Sequence, residues 1–203
     1  LVIIRSSLVN LGKAVRGLQV MSHEVEEVLY AMSLSHVPQY WKSKSYPSLK
    51  PLASYIADLL SRLQMLIRWY EDGPPTCFWL SGFFFTPSFT TAALQNYARR
   101  NQLAIDAVGF DFEFVGMDPD ALTGPPSRGV YIHGLFFEGC GWNKETVTLD
   151  ESQPKVLFEP GPVIWLKLTT VSDRTEYPHD ECPVYRTAVS KGVLAITGHY
   201  TNF

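Results

Sequence analysis

Five side chains of the kinds that do nucleophilic, acid–base or metal chemistry lie in the second half of the sequence: His133, Glu138, Cys140, Cys182 and His199. A thiol paired with an imidazole and a carboxylate suits nucleophilic catalysis. A hydrolytic or ligand-binding β-barrel using His133, Glu138, Cys140 and His199 is therefore the alternative to weigh. Spacing argues against it. His133 and Glu138 are five positions apart, so they point to opposite faces of a regular strand unless Gly134 introduces a bulge. His199 follows Gly198 and reads as a turn or core histidine. Structural roles are favoured for all five. The expected site has no catalytic, cofactor-binding or metal-binding residue.

Other motifs fail in the same way. Leu11-Gly12-Lys13 is followed by Ala14 and lacks the phosphate-cradling pattern, and no Gly-x-Gly-x-x-Gly follows a strand. His23-Glu24 begins like a metalloprotease helix, but position 27 is Glu where a second His is needed. No Gly-x-Ser-x-Gly elbow occurs. Cys77, Cys140 and Cys182 form no Cys-x-x-Cys and read as reduced thiols of a cytosolic protein. Asp111 and Glu113 alternate with phenylalanines and read as the solvent face of one strand.

The first half has helical period. Leu1, Ile4, Leu8, Leu11, Val15 and Leu18 step by three and four, with a break expected near Gly17. Met21, Val25, Val28 and Met32 follow, with Ser22 as cap and Val37-Pro38 as the end. Leu52, Ile56, Leu59, Leu63, Leu66 and Tyr70 mark a third helix, capped by Ser48 and stopped at Asp72-Gly73. A fourth starts at Ser88 and ends in Arg99-Arg100-Asn101. Between them lie six aromatics in thirteen residues, Phe78, Trp79, Phe83, Phe84, Phe85 and Phe89, which must be buried in the domain or against a neighbour.

From residue 103 the period falls to two. Strands are expected at 110–114, 130–138, 146–149, 155–158, 163–169, 184–188 and 193–197. Within 129–142, glycines at 134, 139 and 141 interrupt an apolar run that Trp142 closes, as a bent strand opening a barrel requires. The expected fold is α+β, an N-terminal α-helical subdomain over 1–102 followed by a small antiparallel β-barrel over 103–203. Hydrophobic content is 46%, charged content 18% and net charge −3, with no basic block for nucleic acid and no apolar run for a membrane span. No signal peptide is read, and without an initiator Met the sequence reads as a piece of something longer.

Ordered motifs then resemble one family, the C-terminal domain of dynein heavy chains. They are Trp79-Leu-Ser-Gly-Phe-Phe84, Gln95-Asn-Tyr-Ala-Arg99, Gly129-Val-Tyr-Ile132, Gly134-Leu-Phe-Phe-Glu-Gly139 with Trp142, Glu151-Ser-Gln-Pro-Lys155, Cys182-Pro-Val-Tyr-Arg-Thr187, Thr197-Gly-His199 and Thr201-Asn-Phe203. Val37-Pro38 with Trp41, and the stretch 52–69, look like the family too. Where the family usually has Ala, this protein has Cys140; Ala195 and Ile196 stand where Ser or Thr is usual, and Tyr200 where Ser is. The Phe-Phe-Phe-Thr run and the Thr-Asn-Phe ending look more axonemal than cytoplasmic. The resemblance implies a non-catalytic regulatory cap on the ATPase ring of a minus-end-directed microtubule motor. ATP and Mg would belong to the parent polypeptide only. Ring modules of the same polypeptide would be the main partner, microtubules would be reached through the parent, and dynein intermediate and light chains would be further partners. Cilium or flagellum axoneme is the implied location, with no nucleic acid and no membrane contact.

Overall fold

The computed structural model describes residues 1–46, 48–138, 140–151, 153–156, 158–170, and the backbone of 179–180 and 198–199. Its elements are mixed helices and strands, an α+β fold. One compact unit covers Leu1–Gln64 and a second begins at Met65.

The first unit holds α1 (Val2–Val15), α2 (His23–Ser33), α3 (Gln39–Ser43) and the start of α4 (Leu52–Asp72). Glycine ends α1 where expected. Gly17 takes a φ of 72°, and Leu18 N–H donates to the Lys13 carbonyl while Gly17 N–H donates to Ala14. These two bonds satisfy carbonyls that the helix end leaves open. Ser22 caps α2, its hydroxyl accepting from Val25 N–H at 3.4 Å. That helix stops at Ser33, before Val37-Pro38. Ser35 adopts a φ of 56° and closes the same pair of bonds, His36 to Ala31 and Ser35 to Met32. Pro38 instead precedes α3, a short helix that the apolar period did not predict.

Leu11, Ala14, Val25, Val28, Val37, Trp41 and Tyr55 form the core of this unit. Along α4, Leu52, Ile56, Leu59 and Leu63 of the expected stripe are partly buried, the first three against this core, while Leu66 and Tyr70 are exposed, and Tyr55, Asp58, Arg62, Met65 and Trp69 are covered beside them. These last include an acid and a base, which a search for apolar period passes over. Ser48 does not cap α4. Its hydroxyl accepts from Lys50 N–H, and Pro51 biases Lys50 toward extended backbone, so the helix starts at Leu52.

The second unit contains α5 (Thr86–Asn101) and a four-stranded mixed sheet. Its strands are β1 (Cys77–Trp79), β2 (Val108–Val115), β3 (Val130–His133) and β8 (Val163–Thr170), in the order β1-β3-β8-β2. β1 runs parallel to β3, whereas β8 is antiparallel to β3 and β2. β1 falls inside the aromatic stretch, where local pattern predicts no strand. α5 begins two residues before Ser88, because Pro87 presets the backbone of the first turn.

One face of this sheet presents Phe78, Ile132, Ile164, Leu166, Phe110, Phe112 and Phe114 to a core that includes Leu80, Phe83 and Phe89. Leu168 and Val108 pack with Ala98 and neighbours from α5. The glycine before β3 is obligatory. Gly129 has a φ of 81°, and a Cβ there would lie 1.9 Å from the Leu166 carbonyl oxygen.

Three antiparallel ladders complete the described strands. β4 (Phe136–Glu138) pairs with β7 (Phe158–Pro160), β5 (Cys140–Asn143) with β6 (Thr148–Glu151), and β9 (His179–Asp180) with β10 (Gly198–His199). Among the described residues these strands form one sheet and three separate pairs, with no closed barrel. The strands expected at 184–188 and 193–197 lie outside the described residues, as does Gly139.

Candidate functional site

The expected bent strand is cut in two at Gly134. Its φ is 84°, and a Cβ would come within 2.2 Å of the Trp79 ring. The break sends the backbone from the four-stranded sheet into the β4–β7 ladder. A corner of aromatic rings fills the space there. Trp142 packs on Phe114 at 5.1 Å and on Phe137 at 6.1 Å between ring centres. Only 8% of Trp142 is exposed, so the residue expected to anchor this corner does so.

Four of the five candidates fall on different strands. His133 ends β3 in the four-stranded sheet, Glu138 ends β4, Cys140 begins β5 and His199 lies in β10. Each belongs to a different set of paired strands. Cys182 lies outside the described residues. Glu138 is exposed and Cys140 is half-buried. Burial, with the Glu159 carboxylate second, pushes the Cys140 thiol up from its ordinary value, so it stays protonated. A protonated thiol is not the nucleophile that cysteine chemistry needs.

A second thiol–imidazole arrangement escapes the sequence reading. Cys77 is paired with Tyr131, and His133 lies two residues beyond on the same sheet face. Asp120 bears on both groups. The signal that could have found it is the parallel pairing of β1, which the local pattern does not contain. Burial, with Asp120 adding, raises the Cys77 thiol to about 12. Burial lowers the imidazole of His133, and the smaller effect of Asp120 opposes it. At neutral pH both groups are uncharged, a resting thiol beside a neutral ring.

His133 also borders a cleft of about 250 Å³ with Leu135, Phe136, Trp142, Lys144 and Val163. The ion pair of Lys144 with Asp118, 3.2 Å long and exposed on both sides, stands at the rim. Such a pair contributes about 0–1 kcal/mol. On the same face as His133, Lys167 bonds Glu113 and lies over Trp165, whose indole N–H donates to the Arg128 carbonyl at 2.7 Å. Glu113 is exposed, in keeping with the expected solvent face of β2. Among the described residues no three His, Cys, Asp or Glu side chains gather as metal ligands, and no helix is long and apolar enough to cross a membrane.

In the first unit the polar centre is Asp58. Its carboxylate accepts from Tyr46 Oη at 2.6 Å, Lys50 Nζ at 2.6 Å and Arg62 Nε at 2.7 Å. These bonds overcome the cost of burial and hold the carboxyl down to about 2. The guanidinium of Arg62 also lies 4.3 Å above the Tyr46 ring. The knot fastens the loop before α4 to the helix and presents no open coordination position.

A domain of this kind offers packing surfaces and tethered loops. Its sequence places it in a known family: residues 1–203 match the C-terminal domain of dynein heavy chains, and the protein belongs to that family. It is 46% identical over 99% of its length to dynein axonemal heavy chain 3 of Homo sapiens. It is 44% identical over its full length to dynein axonemal heavy chain 12 of Rattus norvegicus, and 45% identical over 99% to dynein axonemal heavy chain 1 of Homo sapiens. The sequence spans only 5% to 6% of the length of these relatives.

Proposed function

We propose that this protein is the non-catalytic, regulatory C-terminal domain of an axonemal dynein heavy chain, working in the axoneme of a cilium or flagellum. The parent would be an ATP-hydrolysing, minus-end-directed microtubule motor, with ATP and Mg bound in its ring and microtubules engaged elsewhere in the polypeptide. The full-length family match carries this reading. It is supported by similarity to three axonemal heavy chains along almost the whole sequence.

The domain's part is mechanical. It rests on ATPase ring modules of the same polypeptide and restrains their relative motion, which tunes the coupling between ATP turnover and stepping. Exposed aromatics at Phe84, Phe85, Phe136 and Phe158 support a surface made for covering. No residue of the domain acts as a catalytic, cofactor-binding or metal-binding group. We take the helical subdomain to be 1–102 and the strand-rich one 103–203, with the later strands closing the barrel. Intermediate and light chains are further partners.

Deleting the domain from the parent motor tests the proposal. ATPase rate, stall force and run length should change. If all three stay at their intact values, the regulatory role is wrong.

A further inference from the structure

The loop that leads into α4 is cationic. From Val28 to Ala57 the sequence holds no Asp or Glu, yet Lys42, Lys44 and Lys50 fall close together there, in a protein whose net charge is −3. Lys50 is engaged by Asp58. Lys42 and Lys44 are exposed and form no ion pair among the described residues.

Three serines lie among these lysines, and one of them is presented. Ser43 belongs to α3, where its hydroxyl donates to the Tyr40 carbonyl at 2.8 Å. Ser48 is half-buried, and its oxygen accepts from Lys50 N–H. Ser45 is exposed and lies just past Lys44, the C-cap of α3. Prolines at 47 and 51 bias Tyr46 and Lys50 away from helix, so no helix claims the segment that Ser45 opens. Ser45 Oγ accepts from Tyr55 Oη at 2.7 Å, and its own proton has no acceptor among the described residues. Tyr55 is fully buried, with its ring stacked on Tyr46 at 5.4 Å between centres. The Ser45 hydroxyl thus touches the core on one side and solvent on the other.

We propose that Ser45 is a phosphorylation site for a serine kinase that selects basic residues ahead of its target, here Lys42 and Lys44. Ser45 Oγ attacks the γ-phosphorus of ATP. The new O–P bond forms as the bond to the β-phosphate oxygen breaks, ADP leaves, and the hydroxyl proton passes to the base of the kinase. The phosphate brings a charge of about −1.5 to −2 and three acceptor oxygens. Those oxygens take over the Tyr55 bond and draw in Lys42 and Lys44, which fastens the loop to the core by charge-assisted bonds. None of this depends on what the domain does to a motor.

The test gives the full heavy chain ATP and a purified basophilic serine kinase, with a synthetic peptide of residues 37–52 as a second substrate. Phosphopeptide mass spectrometry should find Ser45 as the main phosphorylated residue of that stretch in both. Lys42→Ala with Lys44→Ala should slow its labelling by about tenfold or more, because both cations meet the acidic substrate groove of such a kinase. Ser45→Ala should abolish the label. Ser45→Thr keeps the hydroxyl and should return the label as phosphothreonine. Amide exchange across 45–51 should slow severalfold once Ser45 is phosphorylated. Labelling of the peptide without the heavy chain would show that the folded protein hides the serine and would overturn the proposal. Labelling of neither substrate, or of Ser43 or Ser48 in place of Ser45, would overturn it too. Exchange unchanged by the phosphate would overturn the fastening of the loop.

Discussion

Replacing Asp58 should expose how much of the first unit depends on one carboxylate. Its side chain is 7% exposed and that of Arg62 only 11%, whereas Lys50 is half in water at 51%. Asp58→Ala takes the carboxylate from Arg62, a mostly buried cation, for which a loss of about 3–5 kcal/mol is expected. Lys50→Met removes a pair that water already weakens, so about 1 kcal/mol or less is expected. Asp58 also sets a pH signature. Burial alone would raise its carboxyl, but the bonds from Lys50, Tyr46 and Arg62 win and depress it from 3.8 to about 2. A group depressed in the folded state stabilises fully above its unfolded value, near pH 4, and loses that contribution as pH falls toward 2. The gap corresponds to roughly 2 kcal/mol. Urea unfolding of the native protein and of Asp58→Asn at pH 7, 4 and 3 measures it. The native protein should lose stability below pH 4 more steeply than the variant. An Asp58→Asn cost under about 1 kcal/mol with an identical pH profile would refute the assigned role of the knot.

Four further outcomes follow from the second unit. Gly129→Ala drives a methyl into the Leu166 carbonyl at a positive φ, so a loss of about 3 kcal/mol or more in chemical denaturation is expected. Trp142→Ala empties the aromatic corner under β2 and β4 and should cost about 3–5 kcal/mol by the same assay. Val147 is a β-branched residue at a φ of 58°, so Val147→Gly should leave stability unchanged or raise it by up to about 1 kcal/mol, and a clear loss would show that its contact with Gly116 outweighs the strain. Cys77, raised to about 12, should react with iodoacetamide at pH 8 about a hundredfold more slowly in the folded protein than in urea, with the folded rate still rising above pH 10.

Local chemistry made much of the helical part legible. Gly17 and Gly73, both at positive φ, end helices where the sequence places the stops, and Ser22 caps α2 as its side chain allows. Misses came where a residue acted against its type. Ser35 takes the left-handed turn that glycine usually supplies, which shortened α2. Pro87 and Pro51, rather than Ser88 and Ser48, set the starts of α5 and α4.

Strand positions were read to within a few residues for β2, β3 and β8, because their alternation reflects one buried face. β1 was missed because its three residues pair only with a strand more than fifty positions away. The same long-range pairing hid the neighbourhood of Cys77 and His133. The candidate set around His133, Glu138, Cys140 and His199 shared side-chain types but not a sheet, and the turn at Gly134, a residue the sequence marks as a bend, separates the first two.

The central claim is that this domain restrains a motor ring. Optical-trap records of the parent motor, intact and truncated before residue 1 of this domain, test it most directly. A changed stall force or run length on truncation is the predicted result, with intact behaviour restored by adding the domain back in frame. Superimposable force and run-length distributions would contradict it.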